Sequence, residues 1–271
     1  LGICNGLLYI GIPDKGLLCS KKIPDTVLFG AQGEQFGAEG IKITMIEPMK
    51  KWTIAYKGQM WYQNEPSKFV DVELNGEWTA TYKYFDYDTD LHPPAVIRSI
   101  SRENWSREYF KGLKKAHQSH YEQFGSMKCK LSIGDDKYDV TLPSFRDHSF
   151  GIQRDWSLMH RYAFHHIFVE NGINLSVGVV CHPATSTSFE VGMVGLPNGE
   201  VFPVEWVDLK LWQHGEGGTT PKDYAFRCKA GDTEYTVQVP TNFIICTIIN
   251  IFSLGKHVNF NLRKKPVSLC T

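Results

Sequence analysis

The sequence carries no net charge: 29 Lys and Arg are balanced by 29 Asp and Glu in 271 residues. No overall field therefore draws the chain to nucleic acid or an anionic membrane, and no nucleic-acid partner is expected. The one local basic run, Lys111, Lys114 and Lys115, lies beside Glu108 and Glu122 on a predicted helix. It reads as a solvated face. The seven cysteines are scattered, odd in number and form no CxxC, which argues against a zinc knuckle or a disulfide scaffold. A reducing, cytoplasmic compartment is the default expectation. The longest apolar run, "FIICTIINIFSL" at 243–254, is shorter than the ~20 residues of a spanning helix and contains Asn250, so no membrane span is expected. Also missing are a GxSxG elbow, a GxxxxGK[ST] loop, HExxH, and a GxGxxG opening a helix. "HGEGGTTP" at 214–221 is glycine-rich but lies between strand-like segments, and reads as a hairpin loop. No cofactor is expected. The start, "LGICNGLLYIGIPDKG", has neither Met nor a basic segment before its apolar run, so a signal peptide is not read here. The natural chain is expected to begin earlier, leaving the first domain truncated at its N-terminus.

What the sequence has in quantity is hairpin signal. Asn75-Gly76, Asn171-Gly172 and Asn198-Gly199 each lie between strand-like runs, and Asn-Gly supplies the positive φ angles of a type I′ turn. Val70, Val72 and Leu74 alternate with polar residues before the first pair, and Trp78, Ala80, Tyr82 and Tyr84 follow it. Ile167 and Val169 lead into the second; Ile173, Leu175, Val177, Val179 and Cys181 lead out. Further strands are predicted at 41–47, 52–57, 129–133, 137–142, 190–195, 201–212, 223–229 and 233–239. The fold class is all-β.

One segment breaks the rhythm. Trp105, Tyr109, Leu113, His117 and Tyr121 recur every fourth residue, which predicts an amphipathic helix over 101–125. Ser101 or Asn104 would cap its start and Gly125 its end. The domain division that follows is a first β domain at 1–100, a linking helix at 101–125 and a second β domain at 126–240. The tail at 241–271 does not continue the hairpin pattern.

Chemistry concentrates in "FRDHSFGIQRDW", residues 145–156. Asp147 and Asp155 can accept bidentate bonds from Arg154 and Arg146, which would lock a structural corner. Alternatively, Asp147 or Asp155 is a buried acid in a pocket wall, with Trp156 giving a π face to a cationic or polyene ligand. "HRYAFHHIF" puts His160, Tyr162, Phe164, His166 and Phe168 on one strand face, with Met159, Arg161, Ala163, His165 and Ile167 on the other. Both faces are about half apolar, as in a barrel wall. The histidine spacing is too loose for a zinc site, so no metal is expected.

These residues resemble a known group. "RDHSFGIQRDW" is similar to the Arg-Asp-His-Ser-Trp-Gly…Arg-x-Trp signature of the tandem lipocalin-like superfamily, which includes carotenoid 1,2-hydratases, Diels–Alderase-type cyclases and survival-factor-like proteins. "EPMKKWTIAYKG" at 47–58 is similar to that group's first-barrel strand. "IPDTVLFGAQGEQFGAEG", "DYDTDL" at 86–91, "AHQSHYEQFG" and "WQHGEGG" resemble one animal branch. There, two such barrels precede the catalytic domains of phosphoenolpyruvate-synthase-like (rifampicin-phosphotransferase-like) proteins. The likeness covers about residues 20–240 and implies two lipocalin-like antiparallel β-barrels in tandem. Two departures stand out. Phe150 occupies the position of a tryptophan in many relatives, losing an indole N–H but keeping an aromatic wall. The tail after Val239 lacks the sequence that would finish the second barrel.

The leading expectation is a non-catalytic barrel pair holding an apolar or amphipathic small molecule. Arg146, Asp147, His148, Arg154, Asp155 and Trp156 would form the polar-aromatic wall, with His160 and Tyr162 as further candidates. The competing expectation is a hydratase, isomerase or cyclase that protonates an unsaturated substrate with Asp147 or Asp155. A third is an accessory module docking onto phosphotransferase domains elsewhere in a longer chain.

Overall fold

In the computed structural model, residues 3–13, 15–22, 27–29, 37, 40–150, 160–214, 221–239, 245–250 and 253–258 are described. The fold is mainly antiparallel β: two curled, half-barrel sheets, with α1 (Pro93–Ile100) and α2 (Arg107–Ala116) as the α-helices among the described residues. Two compact units divide the chain, 1–81 with 124–145, and 82–123 with 146–271. This differs from the expected consecutive spans. The reason is that two long strands, β9 (Ser119–Ile133) and β10 (Asp136–Phe150), each contribute residues to both units.

In the first unit, β2 (Tyr9–Ile12), β3 (Gly16–Ser20), β6 (Lys51–Tyr62) and β7 (Glu65–Ala80) lie side by side, with β9 and β10 following β7. β5 (Ile41–Glu47) pairs with β6, and β1 (Ile3–Asn5) pairs with β4 (Val27–Phe29) as a separate ribbon. β7 alternates strictly: Val72, Leu74 and Trp78 are buried while Asp71, Glu73, Asn75 and Glu77 are exposed. That period of two puts one face on a core of Leu18, Tyr56, Met60, Cys129 and Ile133. The same alternation overrides the Asn75-Gly76 turn signal. The pair sits mid-strand, with Asn75 opposite Ala55 and Gly76 opposite Ile54, and the chain turns at Gln63-Asn64 instead.

The second unit carries a meander of β11 (Arg161–Phe168), β12 (Asn174–His182), β13 (Ser186–Gly195), β14 (Val201–Val207), β15 (Tyr224–Ala230) and β16 (Thr233–Val239). Here the other two Asn-Gly pairs do lie in the turns, with Gly172 at φ 86° and Gly199 at φ 91°, but neither asparagine has a positive φ, so the turns are not of the expected type I′. Leu175, Val177, Val179, Val194, Phe226, Cys228 and Val237 form the core on one face. β17 (Ile245–Asn250) and β18 (Ser253–Val258) form their own ribbon.

Of the predicted 101–125 helix only α2 forms; its last residues, from Ser119, are strand β9, and α1 lies before the predicted span. α1 begins on Pro93-Pro94, which suit a helix start because their missing N–H groups have no intrahelical partner there. α2 begins where Ser106 Oγ accepts from Tyr109 N at 3.0 Å, a side-chain cap. It stops at His117, whose backbone turns extended. His117 Nε2 and Ser119 Oγ reach Asp88 at 2.8 and 3.0 Å, tying the chain that leads into β9 to "DYDTDL". Gly125 is therefore a strand residue, not a helix end. A Cβ there would lie 2.3 Å from the Trp78 ring and 2.6 Å from Thr79 O.

Cys19, Cys129, Cys181 and Cys228 are buried free thiols. Burial pushes the Cys228 thiol up to about 12. Alkylation of Cys228 at pH 8 is accordingly expected to run at least about a thousandfold slower in the folded chain than in denaturant. Peptide-level mass spectrometry reads this directly, and fast labelling of folded protein would place Cys228 outside the core.

Candidate functional site

The expected wall residues Arg146, Asp147 and His148 lie on β10, which runs beside β9. Arg146 is half-buried, and two neutral oxygens are among its partners: Nη1 donates to Gln123 Oε1 at 3.1 Å and Nη2 to Tyr121 Oη at 3.3 Å. Gln123 is itself fixed, donating Nε2 to Tyr82 O at 2.8 Å. The guanidinium sits 5.1 Å from the Tyr121 ring centre, a cation–π distance. On the same ring His148 stacks at 5.1 Å, with Phe150 5.6 Å beyond it and Tyr84 5.9 Å from Tyr121. The result is a ladder, Tyr84–Tyr121–His148–Phe150, with Arg146 beside it. Its outer rungs face solvent, Phe150 at 57% exposure.

Burial, and next to it the positive charge of Arg146, hold His148 below the usual histidine value of 6.5. A folded pKa below the unfolded one means the unfolded chain takes up the proton first. The stability tied to neutral His148 is thus complete above pH 6.5 and is lost as pH falls through the folded value. Chemical denaturation across pH 7.5 to 5 is expected to show a decline below about 6.5 that His148→Gln reduces. An unchanged slope in the variant would remove His148 from this account.

Asp147 is exposed, which corrects the expectation of a buried acid there. Its flanking residues Phe145, Arg146, His148 and Ser149 are all half-buried. Arg154, Asp155 and Trp156 lie outside the described residues. His160 is exposed, with Nε2 3.2 Å from Arg161 Nε; Tyr162 packs 5.9 Å from Phe164. His160 N also donates to Cys181 O of β12 at 3.0 Å, and Tyr162 lies opposite Val180 of that strand.

Among the described residues the buried carboxylate is Glu122, which the sequence placed on a solvated helix face. It is 4% exposed. Oε2 accepts from Ser176 Oγ at 2.9 Å, and Oε1 lies 3.2 Å from His120 Nε2. β8 (Phe85–Asp86) pairs with β9 and sets Phe85 opposite Glu122. Tyr87 follows directly, its ring edge-on to His120 at 4.4 Å. The Tyr87 hydroxyl approaches the carboxylate without reaching hydrogen-bonding geometry. Burial, then the negative Glu122, push this phenol well above the usual tyrosine range. The motifs "DYDTDL" and "AHQSHYEQFG" thus meet as one polar cluster. Period-four spacing hid it, because that pattern reads as helix across residues that are extended.

A second buried polar group lies on the core face of the meander. His165 Nε2 is 2.7 Å from Tyr224 Oη, and the His214 ring stands edge-on to Tyr224 at 4.8 Å. Burial pushes the Tyr224 phenol up to about 12. Among the described residues no three His, Cys, Asp or Glu converge as a metal site. No helix among them is long and apolar enough to cross a membrane. In the first unit, an open groove of about 570 Å³ crosses the sheet face opposite the core, with Lys42, Lys128 and Lys130 around Thr44, Thr53 and Asn75.

No curated protein and no solved structure matches the chain. A family model, described as a family of unknown function (DUF8627), matches residues 2–261. Nearly the whole length is covered, and the chain belongs to that family.

Proposed function

We propose that this chain is a lipocalin-like binding module that holds an apolar or amphipathic small molecule against the Tyr121–His148 ladder. The observation that carries the reading is the ladder itself. Tyr121 and His148 stack, Tyr84 stands edge-on and Phe150 tilted at the two ends, and these end rings are exposed instead of packed in a core. Such a surface loses free energy to water and regains it when an apolar body covers it. Burial and the neighbouring Arg146 charge favour neutral His148, so the ladder offers an aromatic surface with the Arg146 guanidinium beside it. The likeness of its motifs to the animal phosphoenolpyruvate-synthase-like branch supports placing the module as a non-catalytic, cytoplasmic N-terminal part of a longer chain. Phosphotransferase domains would then be its neighbours.

Titration with a fluorescent long-chain fatty-acid probe tests this. Binding is expected, and Tyr121→Ala is expected to weaken it about tenfold, the worth of a lost aromatic contact. Arg146→Gln should weaken it further only for probes with a free carboxylate. Equal affinity for wild type and Tyr121→Ala would reject the ladder as the site.

The hydratase-type reading keeps one supporting feature, the buried Glu122 beside His120 and Tyr87. Two described partners already satisfy that carboxylate, which favours a structural role over proton transfer.

A further inference from the structure

The outer face of α2 is the surface that the binding reading leaves unexplained. The helix turns Tyr109, Gly112, Leu113 and Ala116 inward, a stripe at i, i+3, i+4 and i+7, and Tyr109 Oη anchors it on Thr185 O at 2.7 Å. None of its residues is fully buried. Its outward face holds Phe110, 46% exposed, with Arg107, Lys111 and Lys114 at i−3, i+1 and i+4 around it. Trp105 stands edge-on to Phe110 at 5.6 Å and is 60% exposed. Its indole N–H is tied back to Ile100 O at 2.8 Å, so the ring is held outward in a fixed pose. Among the described residues, none of Arg107, Lys111, Lys114 and Lys115 forms an ion pair; Glu108 is the lone acid on the helix.

We propose that α2 docks this protein peripherally on an anionic lipid bilayer, with Trp105 and Phe110 entering the headgroup region and Arg107, Lys111 and Lys114 meeting lipid phosphates and carboxylates. Aromatic side chains partition to that depth, and cations around them are attracted to the negative surface. The convex face of a surface helix offers no groove for an acidic peptide. A bilayer, by contrast, moulds to it. Neutrality of the whole chain does not oppose this, since screening confines the attraction to charges within about 10 Å of the surface. The proposal is independent of the ladder.

Sedimentation of the 271-residue chain with vesicles tests it, using phosphatidylcholine alone and phosphatidylcholine with about one third phosphatidylserine. Binding is expected to the anionic vesicles only and to fall as salt rises. Lys111→Gln with Lys114→Gln is expected to weaken it roughly fivefold per lysine. Trp105→Ala with Phe110→Ala is expected to abolish it. Tyr121→Ala should leave it intact, which separates bilayer docking from capture of single lipids by the ladder. No binding to anionic vesicles, or equal binding by the lysine pair variant, overturns the proposal. Both lysines are exposed, so that variant folds and decides the matter even where the aromatic pair variant does not.

Discussion

Gly192→Ala is expected to destabilise the second unit by at least about 3 kcal/mol, enough to unfold much of it at room temperature. Gly192 lies within β13, opposite Val177 of β12, at φ 143°, a conformation L side chains rarely adopt. An added Cβ would stand 2.0 Å from Ser176 O and 2.9 Å from Val177 Cα. Both are backbone atoms of the neighbouring strand, so no side chain can swing aside to make room. The strands must separate. Gly199→Ala is the control, because it has a similar positive φ of 91° with nothing within 4 Å. Only local strain acts there, about 1 kcal/mol. Denaturant unfolding followed by circular dichroism should rank the two variants far apart, and equal losses would show that packing around β13 is looser than described.

The second large effect concerns Glu122. Glu122→Ala is expected to cost about 3 kcal/mol, because it leaves Ser176 and His120 without their buried acceptor and opens a cavity beside Phe85. Glu122→Gln keeps shape and an acceptor oxygen, and should cost about 1 kcal/mol. Ser176→Ala should cost about 2 kcal/mol, the value of a hydrogen bond to a charged group. The double variant should be less destabilising than the sum, since the two residues share one bond. Strict additivity in that cycle would mean the 2.9 Å contact contributes nothing.

Residues with one strong period were legible in the sequence. β5 and β16 fall at their expected limits, and the alternation of β7 fixed its core face. Where two signals competed, tertiary pairing decided. Asn-Gly lies in a turn at 171 and 198 but not at 75, because residues 69–79 pair with β6 without a break. A period of four from Trp105 to Tyr121 holds as helix only through Ala116, beyond which Asp88 captures His117 and Ser119. The candidate site was half legible. Arg146 and His148 do meet an aromatic wall, but that wall is Tyr121, read beforehand as a helix residue. Glu122 was invisible because its burial depends on Ser176, which lies 54 residues away in the chain. Asp147 is not the buried acid: it stands exposed between half-buried residues on both sides of β10, a pattern that strand alternation alone does not give.

The most direct test of ligand binding is native mass spectrometry of the intact chain after exposure to cell lipid extract, beside a Tyr121→Ala, Arg146→Gln variant. The ladder account predicts a discrete apolar or amphipathic adduct on the wild type and its loss from a variant with unchanged circular dichroism. The same adduct on both proteins, or none on either, would contradict it.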